Sequence, residues 1–126
     1  MIVGVGIDTV VVSRISKLIS KYGDRFLKKV FTPREIEDGA KRLDKASFFA
    51  ARFAAREAFY KALGTGFGRG ISLKEVSVVP LANGRPHLEL IGRAEEAVAG
   101  SGIDRLHLSI THDGDIAQAI VILESN

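Results

Sequence analysis

The run Phe48-Phe-Ala-Ala-Arg-Phe-Ala-Ala-Arg-Glu-Ala-Phe-Tyr-Lys-Ala-Leu63 constrains the fold more than any other stretch of the chain. Alanine is the best helix former, and neither Pro nor Gly interrupts the run before Gly64. One long helix is therefore predicted. Phe49, Phe53, Tyr60 and Leu63 recur at helical spacing, so one face should meet a core. Gly64 is free to take a positive φ and end the helix. Asp44 or Ser47 can cap its start.

Glu57 is the odd residue in that helix. It lies four after Phe53 and three before Tyr60, at the edge of the apolar stripe, where a carboxylate is costly without a cation. Arg52, Arg56 and Lys61 surround it at helical spacings, and the glycine-rich Gly64-Thr-Gly-Phe-Gly-Arg-Gly70 follows. Two readings are open. One is a solvated Glu57–Lys61 pair one turn apart on a scaffold helix. The other is a carboxylate that helps a metal hold a phosphorylated ligand.

Upstream, Ile2-Val-Gly-Val-Gly-Ile-Asp8 alternates like a strand, with Val3, Val5 and Ile7 on one face and Gly4, Gly6 and Asp8 on the other. Glycine in a strand often marks close approach by a ligand or another backbone. Asp8, at the end of this strand, suits either a hard cation such as Mg²⁺, which takes carboxylate oxygens, or the N-cap of the next helix. Val11 to Tyr22 reads as an amphipathic helix with Ile15, Leu18, Ile19 and Tyr22 inward. Arg14, Lys17 and Lys21 form a separate basic stripe. Arg25, Lys28 and Lys29 continue the charge on a short second helical segment, where Phe26, Leu27, Val30 and Phe31 supply the apolar side. That stripe fits an acidic helix. Aromatics are not interleaved among its charges, which argues against nucleic acid as the partner. A small RNA-binding protein using this face remains the alternative from another class, and it would show a steep salt dependence. Thr32-Pro33-Arg34-Glu35 is a helix start, with Thr32 as N-cap, Pro33 in the first helical position and Glu35 completing a capping box. That helix should run to about Arg42.

Beyond Gly70 the pattern becomes strand-like. Val76 and Val78 alternate with polar neighbours such as Ser77, Asn83-Gly84 makes a turn, and Leu88 and Leu90 alternate with His87 and Glu89. Gly92 to Gly100 is a short helix with Ala94, Ala97 and Val98 inward. Leu106, Leu108 and Ile110 line one face of a further strand, and His107, Ser109 and Thr111 line the other. Asp113-Gly114 reads as a two-residue hairpin turn. The last strand, Ile116 to Leu123, is almost wholly apolar and so is central or interfacial. Ser109 and His112 point to opposite faces, which argues against a nucleophile–base pair.

The chain has 126 residues, 46% apolar and 26% charged, which fits one globular domain spanning residues 1–126. Helices in the first half and antiparallel strands in the second give an α+β class. There is no cysteine, so disulfides, thiolate zinc sites and thiol nucleophiles are excluded, and the cytoplasm is a compatible compartment. No apolar run reaches the ~18 residues of a membrane span. No basic region precedes the first apolar run, so a signal peptide is not expected. The net charge of +3 is uneven, with ten Lys/Arg against five Asp/Glu between Val10 and Lys45. A basic N-terminal third points to an acidic partner.

Three segments together resemble a known family. They are Gly6-Ile-Asp8 with Arg14 following; Arg52-Phe-Ala-Ala-Arg-Glu-Ala58 followed by Lys61-Ala-Leu-Gly-Thr-Gly66; and Ser109-Ile-Thr-His112. In order and spacing, over essentially the whole chain, they resemble the holo-[acyl-carrier-protein] synthases, the small bacterial type of 4′-phosphopantetheinyl transferase. The resemblance implies transfer of phosphopantetheine from coenzyme A to a serine of apo-acyl carrier protein, in support of fatty acid biosynthesis. It implies Asp8 and Glu57 as Mg²⁺ ligands and Lys61 at the diphosphate. Arg52, Gly64 and the segment around His112 would hold the rest of coenzyme A, with Arg52 and His112 at the 3′-phosphoadenosine end. Arg14, Lys17, Lys21 and Arg25 would meet the carrier protein. It further implies a homotrimer with active sites between subunits. One residue departs from the pattern: Arg56 stands where the family usually has Lys.

Overall fold

In the computed structural model the expected long helix forms as α4 (Lys45–Leu63), and it supplies the centre of the core. The structure describes residues 1–64 and 70–126. Asp44 caps α4, accepting from the Ser47 amide at 3.1 Å and the Ser47 hydroxyl at 2.6 Å. Gly64 closes it in the left-handed conformation at φ 82°. Burial is broader than the single face expected: Phe48, Phe49, Ala50, Ala51, Ala54, Ala55, Ala58, Phe59, Tyr60 and Ala62 all lie in the core. The alanines explain the difference. A helix with small side chains on its remaining faces lets neighbouring elements approach from several directions.

A three-stranded antiparallel sheet in the order β1-β5-β4 covers one side of α4. It comprises β1 (Ile2–Val11), β4 (Arg105–Asp113) and β5 (Ile116–Glu124). The apolar last strand is central, as expected. Its Ala117, Ala119, Val121 and Leu123 face α4. β1 is longer than the expected Ile2–Asp8, because pairing with β5 carries it on through Val11↔Ile116. Asp8 therefore sits within the strand opposite Ala119, neither at its end nor capping a helix.

The glycine face of β1 meets another backbone. A Cβ on Gly4 would collide with the Ala62 carbonyl, and one on Gly6 with the Ala58 carbonyl. Two residues along β1 thus correspond to about one turn of α4. Val3, Val5 and Ile7 point the other way and are exposed at 48%, 56% and 58%.

Helices α1 (Val12–Tyr22) and α3 (Pro33–Ala40) pack on α4, with α2 (Asp24–Val30) against both of them. Val12 and Ile15 are buried, and Leu18 and Ile19 pack against the core. Tyr22, expected inward, is exposed at the last turn of α1, where Gly23 redirects the chain. The expected capping box of Thr32 and Glu35 forms, and α3 ends at Ala40, short of Arg42. A two-stranded sheet of β2 (Val76–Pro80) and β3 (Pro86–Leu90), with helix α5 (Gly92–Gly100), completes the fold. The β2–β3 connection turns at Gly84, with φ 84°. The β4–β5 hairpin turns one residue later than expected. Asp113 pairs with Ile116, leaving Gly114 and Asp115 at the tip.

Candidate active site

The close approach of β1 to α4 brings three charged residues together. With Gly4 at Ala62 and Gly6 at Ala58, the next inward residue of β1 is Asp8. Lys61 donates to Asp8 Oδ1 at 2.9 Å and to the Ile7 carbonyl at 3.1 Å. Lys61 thus pairs across the joint with Asp8, and the expected one-turn pair with Glu57 is not the ion pair it makes. The Glu57 carboxyl is pushed above the ordinary range, first by burial and then by the Asp8 carboxylate, with Lys61 opposing. A divalent cation between the two carboxylates would relieve the repulsion that Asp8 exerts on the Glu57 charge. Among the described residues no group of three or more His, Cys, Asp or Glu could hold a metal. A two-carboxylate site suits Mg²⁺, which commonly takes one or two carboxylates and completes its shell with waters and substrate phosphates.

Arg56 is turned away from this joint. It is fully buried and forks onto Glu35, with Nη1 2.9 Å from Oε2 and Nη2 on Oε1. Its Nε donates to the Leu73 carbonyl at 3.0 Å. Glu35 also accepts from the Val78 amide at 3.1 Å and the Thr32 amide at 2.9 Å. Placing Arg56 around Glu57 from helical spacing alone was therefore wrong. Positions one apart on a helix diverge by about 100°, and Arg56 clasps α3 and β2 to α4.

Arg52 lies one turn earlier, beside a cleft of about 500 Å³ lined by Lys41, Arg42, Asp44, Phe48 and, across from α4, His112. Its guanidinium stacks 3.9 Å from the Phe48 ring centroid, and its Nε is buried without a hydrogen-bond partner among the described residues. Burial draws the Arg52 proton affinity below the ordinary guanidinium value, with Glu35 opposing that shift. His112 continues the inward face of β4 beyond the core. Asp44 is committed to Ser47, which holds its carboxyl below the ordinary value. The cleft is thus rich in cationic donors and fits an anionic ligand with a flat apolar portion. Lys41 and Arg42 were missed from sequence because they follow α3 as an ordinary polar connection. Gly64 ends α4 with nothing among the described residues close to where a Cβ would stand, and the rest of the glycine-rich stretch, 65–69, lies outside the described residues.

Arg14, Lys17, Lys21 and Arg25 are all exposed. Arg25 and Lys29 rim a groove of about 300 Å³ floored by Leu18, Tyr22 and Phe26. Lys21 Nζ lies 5.3 Å from the Tyr22 ring centroid, so the basic face carries one exposed aromatic that the sequence pattern had placed inward.

The sequence profile of the 4′-phosphopantetheinyl transferase superfamily matches residues 4–118. A curated holo-[acyl-carrier-protein] synthase of Maridesulfovibrio salexigens is 44% identical, covering 98% of this chain and 99% of the relative. The chain belongs to the holo-[acyl-carrier-protein] synthase family. It is accordingly an enzyme, a phosphopantetheinyl transferase. Solved members of the family share its fold. The holo-[acyl-carrier-protein] synthase of Neisseria meningitidis superposes with a TM-score of 0.90 at 34% identity, over 99% of this chain and 100% of that one. That of Helicobacter pylori, solved in complex with coenzyme A, gives 0.83 at 30% identity, over 95% and 99%. These family structures share the α+β arrangement of helices on antiparallel strands.

Proposed function

We propose that the chain transfers the 4′-phosphopantetheine group of coenzyme A to a serine of an apo-acyl carrier protein, releasing adenosine 3′,5′-bisphosphate, in a Mg²⁺-dependent reaction that supports fatty acid biosynthesis. The observation that carries this reading is the meeting of Asp8, Glu57 and Lys61 where β1 crosses α4, on the same helix that carries Arg52 into the cleft with His112. The coenzyme A complex of the Helicobacter pylori relative supports the choice of donor.

Phosphoryl transfer needs positioning and charge stabilisation more than covalent chemistry from the protein. Arg52, Lys41 and His112 would receive the 3′-phosphoadenosine end, with Phe48 supplying apolar surface. Gly64, at the end of α4, leaves room for the diphosphate to approach the helix. Lys61 would exchange its Asp8 partner for diphosphate oxygens. Asp8 and Glu57 would hold Mg²⁺, which supplies charge neutralisation at the diphosphate when bound. The carrier serine Oγ attacks the β-phosphorus, the bond from that phosphorus to the bridging oxygen breaks, and the bisphosphate departs with the bond's electron pair. The serine proton passes to Glu57 or to a water held against a carboxylate.

The exposed stripe of Arg14, Lys17, Lys21 and Arg25 would receive an acidic helix of the carrier protein. The apolar outer face of the sheet would bury against two further copies of the chain. Val3, Val5 and Ile7 form a contiguous exposed patch with half-buried Ile120 and Ile122 on the paired strand, and such patches mark interaction surfaces. A homotrimer closed through this face would set each active site between neighbouring subunits. No helix among the described residues is long and apolar enough to cross a membrane. The reaction is assigned to the cytoplasm, and neither a membrane nor a nucleic acid has a part in it.

The test is the intact mass of an apo-acyl carrier protein after incubation with the enzyme, coenzyme A and Mg²⁺. A gain of one phosphopantetheine group, abolished by EDTA, is expected. No gain with several carrier proteins overturns the reading.

A further inference from the structure

The first turn of α1 has no cap of its own. Val11, in the cap position, offers no side-chain acceptor, and the turn contains no acidic residue. Its first two amides, those of Val12 and Ser13, are satisfied instead by Asp115, 102 positions from Ser13. Asp115 accepts from the Val12 amide through its carbonyl at 2.8 Å. It accepts from the Ser13 amide through Oδ1 at 2.9 Å and from the Ser13 hydroxyl through Oδ2 at 2.7 Å. A carboxylate over unsatisfied helix-start amides is favoured by both hydrogen bonding and the helix dipole.

The sheet register makes this possible. Val11 pairs with Ile116, so the residue before Ile116 overhangs the point where β1 becomes α1. Gly114, at φ 55°, turns the hairpin so that Asp115 stands there. The same hairpin carries His112 on its other arm, in the cleft beside Arg52. Ser13 in turn immediately precedes Arg14, the first residue of the basic stripe. Four consecutive residues, His112 to Asp115, therefore link the coenzyme A cleft to the start of the docking helix.

We infer that Asp115 is a positioning residue for carrier-protein docking: it fixes α1 against the β4–β5 hairpin so that Arg14, Lys17 and Lys21 stand in a set relation to the cleft. The inference rests on the proposed function, in which the stripe receives the carrier and the cleft receives coenzyme A. Asp115 touches neither substrate. Its loss frees the first turn of α1 while leaving the cleft, which is built on the α3–α4 connection, α4 and β4, intact. The effect falls on one substrate and spares the other.

The test is steady-state transfer with apo-acyl carrier protein and coenzyme A varied in turn, for Asp115→Ala, Asp115→Asn, Ser13→Ala and Arg14→Glu. Asp115→Ala is expected to raise KM for the carrier about three- to tenfold, the size of a lost helix cap. Its kcat and its KM for coenzyme A should stay within about twofold. Asp115→Asn keeps an oxygen for the Ser13 amide and an amide group for its hydroxyl, so it should restore most of the wild-type value. Ser13→Ala loses one bond and should shift the carrier KM in the same direction by less, which keeps the test open should Asp115→Ala fail to fold. Arg14→Glu separates the two levels of the claim. If it leaves the carrier KM unchanged, the docking reading itself fails. If it raises that KM while the Asp115 and Ser13 variants do not, or if those variants raise both KM values alike, the positioning role alone is overturned.

Discussion

Removing the Arg56 guanidinium by Arg56→Met should be among the most damaging single changes available to this fold. Both members of the pair are essentially inaccessible, Arg56 at 0% and Glu35 at 1%. Glu35 takes hydrogen bonds from Arg56 Nη1 and Nη2, from the Thr32 amide and hydroxyl and from the Val78 amide. Methionine fills much of the volume but leaves the Glu35 carboxylate buried without a countercharge. Breaking a buried pair in this way costs about 3–5 kcal/mol, against about 5–15 kcal/mol for the whole stability of a domain. Arg56→Lys should be intermediate, at about 1–3 kcal/mol. An ammonium keeps the charge but cannot fork onto both Glu35 oxygens and reach the Leu73 carbonyl as well. The double variant Glu35→Leu/Arg56→Met should recover part of the loss, because an apolar pair removes the stranded charge. It still leaves the Thr32 and Val78 amides without their acceptor. Urea unfolding provides the assay, with the midpoint read at unchanged slope. An Arg56→Met midpoint within about 1 kcal/mol of wild type would refute the clasp as a stabilising element.

Other consequences follow from the same packing. Gly6→Ala places a Cβ against the Ala58 carbonyl and the Ala62 amide nitrogen, both backbone groups of a helix. It should cost at least about 2 kcal/mol, read by thermal melting, because neither element can yield cheaply. The Tyr60 hydroxyl donates to the Ser72 carbonyl at 2.7 Å, and burial pushes its phenol up to about 12. With the folded value above the unfolded value of about 10, the stability Tyr60 contributes is complete below about pH 10 and lost as pH rises toward 12. Tyr60→Phe should therefore be about 1 kcal/mol less stable than wild type at pH 8, and the gap should close across that alkaline window in denaturant melts. Val5→Glu, on the exposed outer face of β1, should convert a trimer to monomers in sedimentation analysis without unfolding the subunit. An unchanged sedimentation coefficient for a trimeric wild type would exclude this face as the interface.

Several local signals in the sequence specify their structure directly. Thr32 and Glu35 announced a capping box, Gly64 the end of α4, and the apolar composition of β5 its central place. The features that escaped depend on partners distant in the chain. Thr9, Val10 and Val11 look unremarkable alone, yet they extend β1 because β5 lies beside them. Nothing near α1 signals that Asp115 caps it. Arg56 was grouped with Glu57 by helical spacing, whereas its true partner, Glu35, is 21 residues away. Gly4 and Gly6 did announce a close approach, but only the fold shows that the neighbour is the α4 backbone. Asp8 and Glu57 stood out from their local patterns, motif resemblance gave them and Lys61 their roles, and packing of β1 on α4 accounts for their meeting.

The most direct test of the central claim, that the β1–α4 joint is the reacting centre, is the initial rate of phosphopantetheine transfer by Glu57→Gln at saturating substrates, measured beside its melting temperature with and without Mg²⁺. The substitution removes a carboxylate whose charge is disfavoured by burial and by Asp8. Without Mg²⁺ the variant should melt no lower than wild type at neutral pH. Its transfer rate should fall at least about 100-fold, the scale of losing a positioned acid–base or charge-stabilising group. Mg²⁺ should raise the melting temperature of wild type but not of the variant. A variant that transfers within about threefold of wild type would show that the chemistry lies elsewhere.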